Sequence, residues 1–388
     1  MGSLNVCYVA SHAVNSALEG HNIASIRIIE AAVNAGINAK IISLEDTPVS
    51  PGKNIYPVKS FLKATRKTSI FPSIWEILSS FPAMSKAKNM NCDIIHLLNV
   101  TKEVFLMNEK LFRISSHCIT HFFHSSFPFF TYSTFKIRSL FLRLGFFNHI
   151  LSSNRSLIQY LTNELKLNVD NVHFIPYPVD VNRFRPRNKQ ELREKYEISV
   201  NAPVIAYVGA IDPDRGFFLL LKAFKKILQR VPQAILYVCH PNRKMRSVNG
   251  ELHPYAASER IRRHILFRGP NPFIEEVYSL ADVIALPFQK PYWITAPPLV
   301  LLEAMASATP IVTTPVGVIN EIGTNMVDMI FVPPGDLDSL VSSVVYALEN
   351  QDEAKSIGFK ARRKAMQNYS IETVGEKLRK TYEEICSS

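Results

Sequence analysis

The chain has 388 residues, 47% of them apolar and 20% charged, a balance that excludes a disordered chain and, at this length, calls for two domains of roughly 180 residues rather than one ordinary core. Lys and Arg exceed Asp and Glu by 44 − 33 = 11, a surplus suited to anionic partners such as phosphorylated metabolites or an acidic membrane surface. Gly, at 14 residues, is too scarce for a dense glycine loop, and five cysteines, odd in number and never spaced C-x-x-C, argue against a disulfide framework or a zinc site and fit a reducing, cytoplasmic setting.

Residues 1–6 lack a basic region ahead of an apolar stretch, and Val6 breaks the myristoylation pattern, so no signal or acyl anchor is expected. Leu4 to Ala10 reads as a buried strand. Ile23 to Ala35 reads as a helix with Ile23, Ile26, Ile29 and Val33 on its apolar stripe, Arg27 and Asn34 off it, and Gly36 as its stop. Ala39–Ile42, Asp93–Leu98 and His117–Phe122 supply further short apolar runs. Strands alternating with helices indicate a doubly wound parallel sheet.

Val58 to Lys88 carries six basic side chains against Glu76, and Phe127 to Phe147 interleaves phenylalanines with Lys136, Arg138 and Arg143. The second reads either as a helix buried against the first sheet or as one resting on anionic lipid at the inner membrane face. Ser139 to Ile150 is too short to span a bilayer, so any membrane contact is peripheral. No nucleic-acid-binding motif accompanies the basic residues.

Ile175 to Arg187, dense in Pro and charge, reads as an interdomain linker. Beyond it the pattern restarts: strand 203–208, helix 217–231, strand 234–238, strand 264–267, helix 272–280, strand 282–286, helix 299–306, strand 310–313, a short strand near 329–332, helices from 337 and 353, and a final helix from about 371 to 386. The expected domains are therefore 1–180 together with 370–388, and 187–369. The fold expected is α/β: two Rossmann-like doubly wound parallel-sheet domains facing a cleft, with the ligand at the carboxyl ends of the strands.

Within that pattern, Pro297-Pro298 precede a helix whose first amides, at Leu299 and Val300, form an anion site suited to phosphate. Glu303, about one turn further, is placed to accept two hydrogen bonds from a vicinal diol such as ribose; the alternative is a solvated or dipole-favoured helix glutamate. Leu299 to Thr313, LVLLEAMASATPIVT, resembles the signature of retaining GT-B glycosyltransferases of the group 1 family, and Phe174–Pro186, Val208–Phe224 and Leu266–Pro287 resemble that family's linker, diphosphate loop and base-binding strand.

The resemblance implies a hexosyl transfer from a nucleotide diphosphate sugar, a UDP- or GDP-sugar acting as substrate, to the hydroxyl of a glycan, a lipid-linked glycan or a small-molecule acceptor, with retention. No separate cofactor and no metal are implied. In the diphosphate loop, Gly209 to Gly216, Arg215 takes the place of the family's lysine, whereas Ala210 replaces an arginine. Asp212 and Asp214 are expected to point to solvent or to cap the following helix rather than to hold a metal. Arg268 marks the base-binding strand, Glu303 the ribose site, and Thr295 stands where the family carries a sugar-binding glutamate.

From the N-terminal half, His124, with His121 as the alternative, resembles the histidine that touches the donor sugar. Gly20 and His21 sit in a loop ahead of a helix beginning at Ile23, with Asn22 as its cap. The departures at Ala210, Thr295, Pro297 and Pro298 leave two other readings open: a non-catalytic sugar-nucleotide-binding partner subunit, and a sugar-nucleotide epimerase of the same architecture.

Overall fold

The computed structural model describes residues 4–10, 20–43, 55–57, 86–87, 89–98, 117–122, 149–164, 166–240, 259–290 and 297–387. The chain divides into two units, residues 1–178 with 371–388, and residues 179–370. Ile175–Arg187 is thus split: Val179, Val181 and Phe184 are buried in the second unit.

The first unit holds strands β1 (Asn5–Ala10), β2 (Asn38–Ser43), β3 (Ile55–Pro57), β4 (Ile94–Leu98), β5 (His117–Phe122), β6 (His149–Ser152) and β7 (Val172–Phe174). They form one parallel sheet in the order β3-β2-β1-β4-β5-β6-β7. Helix α1 (Gly20–Asn34) follows β1, and α2 (Arg155–Asn163), capped by Asn154 through the Leu157 amide, lies between β6 and β7.

The inner face of α1 differs from the expected stripe. Ile29 of that stripe is buried, but so are Ala24, Ile28, Ala31 and Ala32, with Arg27 covered among them, while Val33 is 53% exposed. The reason is the C-terminal helix, which packs on α1 at close range: a Cβ added to its Gly375 would lie 2.3 Å from the Ala31 carbonyl oxygen. Small side chains on α1 permit that approach, and size outweighs hydrophobicity in choosing the face.

Another expectation is corrected at the cysteines. Cys7 on β1 and Cys92, two residues ahead of β4, form a disulfide with Cα atoms 5.9 Å apart across 85 positions of chain. Pairing of β1 with β4, which aligns Val6 with Ile94, brings these distant positions side by side. Spacing along the sequence carries no trace of such a non-local meeting.

The second unit holds α3 (Lys189–Lys195), β8 (Val204–Val208), α4 (Phe217–Arg230), β9 (Ile235–Cys239), α5 (Glu259–Arg262), β10 (Ile265–Arg268), α6 (Ile274–Leu280) and β11 (Val283–Leu286). It continues with α7 (Leu299–Ala306), β12 (Ile311–Thr313), α8 (Ile319–Ile322), β13 (Ile330–Phe331), α9 (Leu337–Glu349) and α10 (Gln351–Tyr369). Its sheet is parallel, in the order β10-β9-β8-β11-β12-β13. β8 and β11 are buried along their whole length, as strands covered on both faces should be.

Asp282 fastens the amino-terminal edge of this sheet. Its carboxylate accepts from Arg193 at 2.5 Å, Lys189 at 2.8 Å and the Val204 amide at 2.7 Å, while its own amide donates to the Val204 carbonyl. The buried Arg193 also donates to the carbonyls of Leu280 and Val200. A buried charge held this way tolerates no loss of its partner.

Ser370, in an extended conformation, ends α10, and α11 (Ile371–Ser387) returns to the first unit. Val374, Leu378, Tyr382 and Ile385 are buried, the stripe expected for a helix packed on a domain. The Tyr382 hydroxyl meets His96 Nδ1 at 2.5 Å and the Tyr8 hydroxyl at 3.1 Å, tying α11 to β4 and β1.

Candidate active site

In the second sheet the chain runs from β8 outward to β9 and β10 and then crosses back to β11 on the other side of β8. The switch point therefore lies between β8 and β11, where register pairs Ile205 with Val283 and Ala206 with Ile284. Open parallel sheets bind ligands outside the carboxyl ends at such points. Here those ends lead into Gly209–Gly216 after β8 and into the segment from Pro287 to α7 after β11.

The Gly209–Gly216 loop is fixed by its own polar groups. Gly209 N donates to the Cys239 carbonyl at 3.0 Å, and the Tyr207 hydroxyl donates to the Ala210 carbonyl at 2.6 Å. Asp212 Oδ1 accepts from the amides of Asp214 at 2.8 Å and Arg215 at 3.3 Å, so this carboxylate turns the loop. Asp214 pairs with Lys290 Nζ at 2.9 Å, and its carbonyl accepts from Gln289 N at 2.8 Å. Asp212 is thus used within the loop, and Asp214 joins the loop to the segment after β11.

Gly216 closes the loop and starts α4. Its φ of +77° suits glycine, and a Cβ there would fall 1.7 Å from the Pro287 carbonyl oxygen. This close approach seats the loop against the exit of β11 and sets the half-buried Arg215 beside it. Burial pushes the Tyr207 hydroxyl well above the usual phenol range, and the positive charge of Arg215 opposes that shift.

On the other side of the switch point, Pro298 leads into α7 without a side-chain cap, and Leu301 and Leu302 are the amides that bond the Pro298 carbonyl. The amides of Leu299 and Val300 occupy the first turn, at the positive end of the helix. Glu303 is buried, at 6% exposure, among Leu301, Leu302, Ala304 and Met305, which removes the solvated-glutamate alternative. Its Oε2 accepts a 2.8 Å hydrogen bond from the Tyr278 hydroxyl of α6.

Arg268 ends β10, two strands from β8 and hence about 10 Å across the sheet, with its side chain exposed and its carbonyl accepting from His240 N at 3.3 Å. Thr295 and His124 lie outside the described residues. His121 belongs to β5, in register with Leu98 and Leu151.

The expected loop Gly20-His21-Asn22 is corrected: these are the first three residues of α1, so Asn22 is not its cap. The helix can begin early because no proline or β-branched residue opposes it there. Sequence reasoning missed Tyr278 altogether, because a tyrosine within an apolar helix segment carries no signal of the carboxylate 25 positions later.

Residues 188–364 match the family described as glycosyl transferases group 1. The chain carries a glycosyl transferases group 1 domain. All of Gly209, Arg215, Gly216, Arg268, Leu299, Val300 and Glu303 fall inside it. The chain is similar, at 22% identity over 94% of each chain, to a UDP-Gal:alpha-D-GlcNAc-diphosphoundecaprenol alpha-1,3-galactosyltransferase of Escherichia coli. It is 29% identical to a D-inositol 3-phosphate glycosyltransferase of Nocardia farcinica over 38% of this chain and 33% of that one.

Over the first curated relatives it matches, the chain spans about a third to a half of their length. The structure of Anabaena HepE in complex with UDP superposes with a TM-score of 0.75 at 15% identity, covering 98% of this chain and 100% of that one. The fold is accordingly the GT-B class of these glycosyltransferases. Among the described residues, no group of three or more His, Cys, Asp or Glu side chains is placed to hold a metal ion, and no helix is long and apolar enough to cross a membrane.

Proposed function

We propose that the protein is a retaining glycosyltransferase that moves a hexosyl group from a nucleotide diphosphate sugar to an acceptor hydroxyl. The observation that carries this reading is the switch point of the second sheet, where the loop bearing Arg215 is packed against the segment that leads into α7 and its buried Glu303. Arg215 offers a forked guanidinium to phosphate oxygens. The amides of Leu299 and Val300 offer two fixed donors backed by the helix dipole.

Together these groups stabilise the negative charge that develops on the departing diphosphate, without a metal. Glu303 accepts from the ribose diol, Arg268 lies toward the base, and Thr295 and His124 contact the sugar. Gly20 and His21, in the first turn of α1, present amides toward phosphate or acceptor. A UDP-sugar is the first donor to test, since Anabaena HepE binds UDP and the Escherichia coli relative is named for UDP-Gal. That relative's lipid-linked acceptor, with the basic surplus of the chain, supports a glycan or lipid-linked acceptor met at an anionic membrane surface on the cytoplasmic side.

The test is thermal denaturation with UDP, GDP and ADP, followed by product analysis with the matching sugar donors. A nucleotide at a hundred times its dissociation constant stabilises by about 2.7 kcal/mol. One observation favours a second reading, a sugar-nucleotide-binding subunit without turnover: Ala210 supplies no side-chain cation where the family has arginine, and its carbonyl is already taken by Tyr207. Nucleotide binding with no transfer or donor hydrolysis across a broad donor and acceptor panel selects that reading.

A further inference from the structure

We infer that Tyr278 is a positioning residue for nucleotide selection: its hydroxyl orients the Glu303 carboxylate so that the site distinguishes ribonucleotides from deoxyribonucleotides. The inference rests on the reading of Glu303 as the ribose-binding group. A carboxylate on a glutamate side chain rotates about its terminal torsion with little preference. Two hydrogen bonds from a vicinal diol require one orientation of its plane. An ordered donor on one oxygen supplies that orientation before the ligand arrives, which saves the cost of fixing it on binding.

The Tyr278 hydroxyl is such a donor, 2.8 Å from Glu303 Oε2 in a buried contact. Tyr278 is itself held at both ends. Its ring, fully buried, packs edge-on against Phe184 with centroids 5.8 Å apart. Its main-chain carbonyl accepts from Thr309 Oγ1 at 2.7 Å.

Thr309 follows the end of α7, and that end is fastened in turn. Arg362 of α10 donates to the carbonyls of Ala306 and Phe184. Gly358 lets α10 approach so closely that a Cβ would sit 2.3 Å from the Ala308 carbonyl oxygen. Phe184, Tyr278 and the helix bearing Glu303 are therefore registered against one another by a single set of contacts. An aliphatic partner at position 278 would fill the space, but it would bring no donor to the Oε2 that Tyr278 now holds.

The measurement is the ratio of dissociation constants for a 2′-deoxy nucleoside diphosphate and its ribose form, UDP first, in the parent, Tyr278→Phe, Glu303→Gln and the double variant. In the parent the ribose form binds at least tenfold tighter. Tyr278→Phe is expected to weaken the ribose form three- to tenfold and the deoxy form, which offers the carboxylate one hydroxyl, by less, so the ratio narrows; where turnover is measured, KM for the donor rises more than kcat falls. In the Glu303→Gln background, Tyr278→Phe adds little to the change in ratio.

Thr309→Val, which touches neither partner side chain, shifts the ratio in the same direction and keeps the test open if Tyr278→Phe does not fold. Equal weakening of both nucleotides in the position-278 and position-309 variants, or no change in either, overturns the inference. A parent ratio near one, or a ratio unmoved by Glu303→Gln, overturns the ribose assignment of Glu303 itself and is told apart by that control alone.

Discussion

Arg215, Gly216 and Glu303 divide the work of the candidate site, and the two loop residues each support a separate prediction. Arg215→Ala removes the one side-chain cation of the loop; the loss of a charge-assisted phosphate contact, about 1.5–3 kcal/mol, lowers affinity for a nucleoside diphosphate roughly ten- to a hundredfold while leaving the nucleoside's weak binding unchanged, as a titration with both ligands checks. Gly216→Ala forces a Cβ into the Pro287 carbonyl at a φ of +77°, so the loop must leave β11. It is expected to abolish nucleotide binding and to lower the melting temperature, where Arg215→Ala leaves that temperature in place.

The sequence singled out Arg215 and Gly216 by the resemblance of their loop to the family's diphosphate loop, and Glu303 by its place one turn into an apolar helix. It could not reveal that Glu303 is buried against Tyr278. It led to the expectation that Asp212 and Asp214 face solvent or cap a helix rather than hold a metal, but it could not name the Lys290 that pairs with Asp214. Such contacts are made by side chains remote in sequence, and residue type does not encode them.

Those elements of the second unit that periodicity predicts lie within about two residues of their observed places, as with Leu299–Ala306 and Phe217–Arg230, because their apolar runs are bounded by Gly and Pro and buried on both sides; the short helices Lys189–Lys195, Glu259–Arg262 and Ile319–Ile322 were not predicted. The short strands Ile55–Pro57, His149–Ser152 and Val172–Phe174 were not legible; three or four residues are too few to set a period, and neighbouring strands define them. The α1 face escaped for the opposite reason: its alanines serve a close helix approach, which hydrophobicity does not measure. Two predictions belong to this scale. Gly375→Val drives a side chain into the Ala31 carbonyl and overpacks the α1–α11 contact, at a cost of about 1–3 kcal/mol, seen as an earlier melt of the first unit with nucleotide affinity retained. Asp282→Ala strands the buried Arg193 guanidinium and costs about 3–5 kcal/mol, a loss that chemical denaturation of the second unit reads directly.

At the scale of the molecule, the two parallel sheets were legible from alternation of strands and helices, and the family from a signature that begins at Leu299. The Cys7–Cys92 pairing was not, because only the completed sheet of the first unit brings β1 beside the approach to β4. The central claim is that a diphosphate is held at the β8–β11 switch point by Arg215 and the start of α7. Its most direct measurement is the affinity of a nucleoside diphosphate against its monophosphate, using whichever of UDP, GDP and ADP most raises the melting temperature, in the parent and in Arg215→Ala. The account predicts that the parent prefers the diphosphate at least tenfold and that the variant loses most of this preference. Equal affinities in the parent, or a preference that survives removal of Arg215, would contradict it.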